Sequence, residues 1–185
     1  MDEASRAAVF LDRDGVLNRT VVTGGVPHPP QTVDEFELLP GVVQAVAQLI
    51  ADGFLLPVIT NQPDVARGTQ TRSAVEQINA KLAAMLPVTE IFTCYHDGPD
   101  ECDCRKPKAG LLIEAQKRYN IDFGRSFLVG DRWSDIVAGA AVGCTTLLVA
   151  TEYSKADRCS PNHTVRDLPE AVELIRRLKS QAVNA

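Results

Sequence analysis

The chain has 185 residues, 45% of them hydrophobic and 23% charged, with a net charge of −5. At roughly 150 residues per domain this length predicts one domain over 1–185, and the composition excludes collagenous, low-complexity and wholly disordered chains. The acidic balance counts against a nucleic-acid binder that works through phosphates, because such surfaces are basic.

The first six residues are polar and mixed in charge, unlike a signal peptide. No apolar run reaches the ~20 residues that a membrane span needs. Five cysteines is an odd number in a chain too large to need disulfide staples, which predicts reduced thiols and a cytoplasmic protein.

In chain order, Ala8–Leu11 is a short apolar run that predicts a buried strand. Residues 15–39 have weak periodicity and contain Gly24-Gly25 and Pro27-His28-Pro29-Pro30. They are expected to form a long functional loop, the alternative being a disordered excursion. Val42–Ala51 has helical spacing, with Val42, Val43, Val46, Leu49 and Ile50 apolar, and Gly53 is its stop. Phe54–Ile59 reads as a strand, although Pro57 lacks the N–H a central strand uses. A bulge, or an N–H position facing away from the ladder, is expected there.

Thr71–Leu86 follows as a helix with Val75, Ile78, Leu82 and Met85 inward, then Glu90–Cys94 as a strand. Ala109–Tyr119 is a helix, Phe127–Val129 a strand, Ser134–Ala141 a helix and Thr145–Val149 a strand. A closing helix runs over about 167–180. Strict alternation predicts an α/β fold with a doubly wound parallel sheet covered on both faces.

In such a sheet the ligand site lies beyond the carboxyl ends of the strands. Those ends carry Asp12-Arg13-Asp14-Gly15, Thr60-Asn61-Gln62 and Gly130-Asp131 followed by Asp135. Clustered carboxylates repel one another unless a cation relieves them, and the oxygen-rich set suits Mg²⁺. Arg13, Arg19, Arg67, Arg105, Lys106, Lys108 and Arg132 flank the same loops, which suggests a small anionic substrate.

Cys94, His96, Cys102 and Cys104 form a C-x-H-x5-C-x-C array, a three-sulfur, one-nitrogen set that suits structural Zn²⁺. The alternative is a group of reactive thiols without metal. The array leads straight into Arg105-Lys106, so a metal there would aim the basic pair. Cys144 and Cys159 lie outside it and read as core and loop thiols.

Val9 to Asn18, with its Asp12-Arg13-Asp14-Gly15, resembles the first motif of the haloacid dehalogenase (HAD) superfamily of phosphohydrolases. Thr60-Asn61-Gln62 resembles its second, Arg105-Lys106-Pro107 its third, and Gly130-Asp131 with Asp135 its fourth. The resemblance implies a Rossmann-like HAD fold in which Asp12 is the nucleophile and Asp14 the general acid and base. It implies Thr60 and Lys106 as phosphoryl ligands. It places Mg²⁺ on Asp12, the Asp14 carbonyl and Asp131, and leaves Asp135 to orient the loop.

The cysteine–histidine array and Ala66-Arg67-Gly68 narrow the likeness. The array resembles the capless, zinc-containing subgroup of heptose 1,7-bisphosphate 7-phosphatases and histidinol-phosphate phosphatases, and Ala66-Arg67-Gly68 resembles the heptose side of it, since the histidinol-phosphate enzymes lack that run. Pro63-Asp64 and the segment after Asn18 depart from the heptose pattern. That pattern implies substrate contacts from Arg19, Asn61, Gln62, Arg67, Arg105 and Arg132. It also implies a pocket shaped by residues 15–39 and the zinc loop 94–104. The resemblance further implies carbohydrate metabolism feeding lipopolysaccharide biosynthesis. A monomer acting on a small phosphorylated metabolite is expected, with no nucleic-acid or membrane partner. The rival readings are a histidinol-phosphate phosphatase or another sugar-phosphate phosphatase, a phosphoacceptor receiver-type module, and a zinc-dependent nucleic-acid-binding module, the last disfavoured by the acidic balance.

Overall fold

A computed structural model describes residues 5–23, 26–154 and 156–183. In chain order the strands are β1 (Val9–Leu11), β2 (Val21–Thr23), β3 (Val26–His28), β4 (Pro57–Asn61), β5 (Glu90–Cys94), β6 (Phe127–Gly130), β7 (Thr145–Val149) and β8 (His163–Val165). The helices are α1 (Val42–Ala51), α2 (Arg72–Met85), α3 (Gly110–Tyr119), α4 (Trp133–Ala141) and α5 (Leu168–Val183). Six strands form one sheet in the order β5-β4-β1-β6-β7-β8, every neighbouring pair parallel. The chain leaves β1 toward β4 on one side and later returns to β6 on the other. This strand-order reversal opens a crevice at the carboxyl end of β1.

Strand alternation sorts β1 between two cores. Val9 and Leu11 pack with Val46 and Leu49 of α1, Ile78 and Leu82 of α2, and Val172 and Ile175 of α5. Ala8 and Phe10 join Leu111, Leu112 and Ala115 of α3 and Ala138 of α4 on the opposite face. Covering both faces removes the sheet's apolar surface from water, which is why the strands are nearly continuous apolar runs. Thr71 caps α2, its side chain accepting from the Ala74 N–H at 3.1 Å.

Several expectations change in detail. Val43 and Ile50 are exposed, because α1 buries the Val42, Ala45, Val46, Leu49 stripe and these two lie one position beyond it. Met85 also faces solvent, and Leu86, in the extended residue that ends α2, fills the core in its place. Strand β4 begins at Pro57 and runs on through Asn61, later than its apolar run suggests.

Pro57 makes no bulge. The pairs Ala8↔Leu55 and Leu11↔Val58 keep one register on either side of it. Leu55 bonds to β1 through both its N–H and its C=O, so by alternation Pro57 faces β1 as well. The proline therefore removes one ladder bond on a central strand, and the pairing with β5 continues undisturbed at Pro57↔Glu90. Residues 15–39 are not one open loop, since β2 and β3 pair as an antiparallel hairpin within them.

Candidate active site

The carboxyl ends of β1, β4 and β6 bring Asp12, Thr60 and Asp131 together, and the chain after β5 adds Lys106. Asp12 and Lys106 are buried. The Lys106 ammonium donates to Asp12 Oδ1 at 2.7 Å and to the Ile59 carbonyl at 2.8 Å, and pairs with Asp135 Oδ1 at 2.6 Å. Burial alone would lower the Lys106 pKa, but Asp12 and Asp135 reverse that and hold it above its ordinary value. The Asp12 carboxyl is pushed up to about 6, chiefly by burial, with Lys106 opposing and Asp135 and Asp14 adding to the rise.

Asp14 sits on the cavity wall with its carboxylate held from behind. Arg13 donates to both of its oxygens, Asn18 Nδ2 to Oδ1 at 2.9 Å and Gln62 Nε2 to Oδ2 at 2.7 Å. Gln62 Nε2 also reaches Thr60 Oγ1 at 2.8 Å. The Thr60 hydroxyl therefore accepts from Gln62, and its own proton is left to donate elsewhere.

A cavity of about 370 Å³ opens above these groups. Asp12, Asp14, Thr60, Asn61, Arg67, Arg105, Lys106 and Arg132 line it, together with Val26–Pro29 of the hairpin and Trp133. Arg67 forks onto Asp97, Nε to Oδ2 at 2.7 Å and Nη2 to Oδ1 at 2.9 Å, and Nη1 reaches Asp64. Arg105 donates to the His96 carbonyl at 3.1 Å and pairs with the same Asp97. Asn61 brackets the third-motif loop, donating to the Lys106 carbonyl at 3.0 Å and accepting from its N–H at 3.1 Å.

Three residues sit away from their expected places. Arg19 is exposed and pairs with Glu37, off the cavity wall, because it leaves the first loop on its outer side. Gln62 is fully buried behind Thr60 and Asp14, where its amide supports them and does not line the cavity. Arg13 is fully buried as well, its guanidinium held by Asp14 and by Asn79 of α2, away from the cavity lining.

Beside the cavity, Cys94, His96, Cys102 and Cys104 converge. The sulfurs are 3.2–3.7 Å apart, and His96 Nδ1 lies 3.7 Å and 3.3 Å from the sulfurs of Cys94 and Cys104. A tetrahedron with ~2.3 Å metal–sulfur bonds has edges of about 3.8 Å, so this set fits a closed, structural zinc site.

The chain was compared with known proteins. A HAD-hydrolase-like family model matches residues 103–171. A D-glycero-beta-D-manno-heptose-1,7-bisphosphate 7-phosphatase of Pasteurella multocida is 36% identical over 95% of this chain and all of its own length. The chain belongs to the haloacid-dehalogenase-like hydrolases. A Pseudomonas putida enzyme of the same name is 39% identical over 77% of this chain and 82% of its own. Among solved structures, the D,D-heptose 1,7-bisphosphate phosphatase of B. bronchiseptica, complexed with magnesium and phosphate, superposes with a TM-score of 0.79. It is 30% identical, covering 93% of this chain and 99% of that one. The Burkholderia thailandensis enzyme gives a TM-score of 0.64 at 26% identity, over 91% and 97%.

The chain is thus a phosphoric monoester hydrolase of HAD type. Its carboxylates also fit the divalent cation such hydrolases use. Both oxygens of Asp131 are buried and make no hydrogen bond of ordinary geometry among the described residues. Oxygens of Asp12, Asp131 and Asp135 lie within 4.8 Å of one another. Burial, then Asp12 and Asp135, push the Asp131 carboxyl well above the usual carboxylate range. A hard cation satisfies such a set, because an orphaned buried carboxylate otherwise keeps its full desolvation cost. Two glycines let the HAD loops close on it. A Cβ at Gly15, whose φ is +89°, would lie 2.1 Å from Asp131 Oδ2, and one at Gly130 would lie 2.2 Å from Asp135 Cβ. Val26–Pro29, on the cavity wall, fall within the 15–39 segment expected to shape the pocket, although as part of a hairpin and not of an open loop. Sequence reasoning did not find the Asp97 bridge between Arg67 and Arg105.

Proposed function

We propose that this HAD hydrolase removes the 7-phosphate of D-glycero-β-D-manno-heptose 1,7-bisphosphate, in the carbohydrate metabolism that supplies lipopolysaccharide. The observation that carries this reading is the pairing of one nucleophile-bearing crevice with a wall of three arginines, Arg67, Arg105 and Arg132. One phosphoryl group needs Lys106 and Thr60. A second anionic group on the same small molecule gives the arginines a ligand. The full-length likeness to enzymes of that name supports the choice of sugar.

In this reading Asp12 attacks phosphorus as the bond to the sugar oxygen breaks, and Asp14 protonates that oxygen. Water then attacks the aspartyl-phosphate, its proton passes to Asp14, and Asp12 leaves as a carboxylate. Lys106 and the Thr60 hydroxyl hold phosphoryl oxygens throughout. Asp12, the Asp14 carbonyl and Asp131 would hold Mg²⁺, which would supply positive charge to offset the repulsion between carboxylate and phosphate. Asp135 holds Lys106 and the Arg132 N–H, the latter at 2.9 Å. The cysteine–histidine set holds zinc and fixes the Arg105-Lys106 segment. Residues 1–185 act as one capless catalytic domain, a cytoplasmic monomer, and the hairpin covers the pocket. Gln62 supports the site from behind, and Arg19 has no substrate contact.

Phosphate release from the heptose bisphosphate, measured with magnesium and with a chelator, tests this. Turnover should require the metal and should fall by at least about a thousandfold in Asp12→Asn. An Asp12→Asn protein that keeps wild-type turnover would overturn the reading.

A further inference from the structure

Among the described residues Arg13 is the largest side chain that is fully buried. Arginine is almost never buried without a partner, so its contacts state its purpose. Three of them go to one neighbour: Nε to Asp14 Oδ1 at 3.2 Å, Nη2 to Oδ1 at 3.1 Å and Nη2 to Oδ2 at 2.9 Å. The fourth, Nη1 to Asn79 Oδ1 at 2.8 Å, ties the guanidinium to α2. Asn79 is fixed in turn, donating to Thr93 Oγ1 of β5 at 3.1 Å. A rigid chain of contacts therefore runs from the sheet edge through Asn79 and Arg13 to Asp14, and only its last member reaches the cavity.

We propose that Arg13 is a positioning residue for the proton-transfer group. It acts through Asp14, fixing the plane and direction of that carboxylate at the cavity wall. A fork of donors anchored on its far side does this in a way a lysine cannot, because an ammonium is a point donor without a plane. The inference rests on the phosphatase reading above. It goes beyond that reading by assigning a function to the residue between the two aspartates.

The two halves of the reaction depend on Asp14 differently, and this separates positioning from general structural support. An aryl phosphate has a leaving group that needs no proton, so the transfer of its phosphoryl group to Asp12 proceeds without Asp14. Hydrolysis of the aspartyl-phosphate always needs Asp14. There the water oxygen bonds to phosphorus, the bond from phosphorus to the Asp12 oxygen breaks, and the water proton goes to an Asp14 oxygen. Misplacing Asp14 alone should slow the second half and spare the first.

The test is rapid mixing of the magnesium-loaded protein with p-nitrophenyl phosphate. Arg13→Met should release nearly one nitrophenol per chain in a burst at close to the wild-type rate. A steady state at least about tenfold slower than wild type should follow. Arg13→Lys should keep the burst and recover little of the steady state. A first turnover slowed as much as later ones, or Arg13→Met kinetics equal to wild type, would overturn the proposal. If Arg13→Met does not fold, Asn79→Ala decides. It should give the same burst with a smaller steady-state loss, and wild-type kinetics there would overturn the proposal equally. Absence of any magnesium-dependent turnover in the unmodified protein would instead sink the phosphatase reading.

Discussion

At the scale of single residues, the site is built on carboxylates that are uncomfortable without a cation. The Asp12 carboxyl titrates at about 6 in the folded protein against an ordinary 3.8, so without metal the native state binds its proton more tightly than the unfolded chain does. That contribution to stability is complete below the ordinary value and is lost as pH rises through about 6. Asp131 shifts in the same direction. Magnesium competes with these protons, so it should raise Tm by several degrees at about pH 8 and by much less at about pH 5. Thermal melts with and without magnesium at both values check this, and equal shifts would contradict it. Arg67 makes a second residue-scale case. Its guanidinium is positioned by Asp97 and Asp64 at the cavity wall. Losing a charge-assisted contact to a second phosphate costs ~1.5–3 kcal/mol. Arg67→Ala should thus raise KM for the bisphosphate by about ten- to a hundredfold and leave p-nitrophenyl phosphate nearly unaffected. Equal losses on both would remove Arg67 from substrate recognition.

At the scale of elements, the end of β5, at Cys94, and the loop from it to α3 carry both the cysteine–histidine set and Lys106. Metal binding at such a set is folding free energy for the loop. The purified protein should contain about one zinc per chain, and Cys102→Ser should lose it and lower Tm by about 5 °C or more. Zinc-free wild-type protein with an unchanged Tm would contradict the assignment. This site was legible in the sequence because four ligands in eleven residues can hardly avoid meeting. The alternating elements were legible too, since buried parallel strands are short apolar runs and their amphipathic helices carry a 3.6-residue period. What escaped was set by neighbours. Strand β8 is three residues, His163–Val165, that become a strand only because the edge of β7 is there to pair with. Gln62 sits one step past a cavity-lining pair, and its inward turn toward Asp14 and Thr60 follows from tertiary contacts. Arg19 was expected at the pocket from the likeness to the heptose pattern, and a likeness of motifs does not say which side of a loop faces the opening.

At the scale of the whole molecule, a single parallel sheet places every proposed reacting group at one edge. Thr60, Asn61 and Asp64 come from one side of β1, and Asp131 and Asp135 from the other. The β2–β3 hairpin and the metal-site loop then define the mouth, with Arg132 reaching the hairpin at the Pro27 carbonyl, 3.4 Å away. Among the described residues no helix is long and apolar enough to cross a membrane. The net charge of −5 does not describe the pocket, where Arg67, Arg105, Lys106 and Arg132 face Asp12, Asp14, Asp64 and Asp135. Such a mouth should select for a small molecule with a second anionic group at some distance from the reacting phosphate. The most direct test is kcat/KM measured side by side for the β-anomer of the heptose 1,7-bisphosphate and for histidinol phosphate. The account predicts at least about a hundredfold preference for the heptose, with phosphate released from carbon 7. An equal or greater kcat/KM for histidinol phosphate would contradict it.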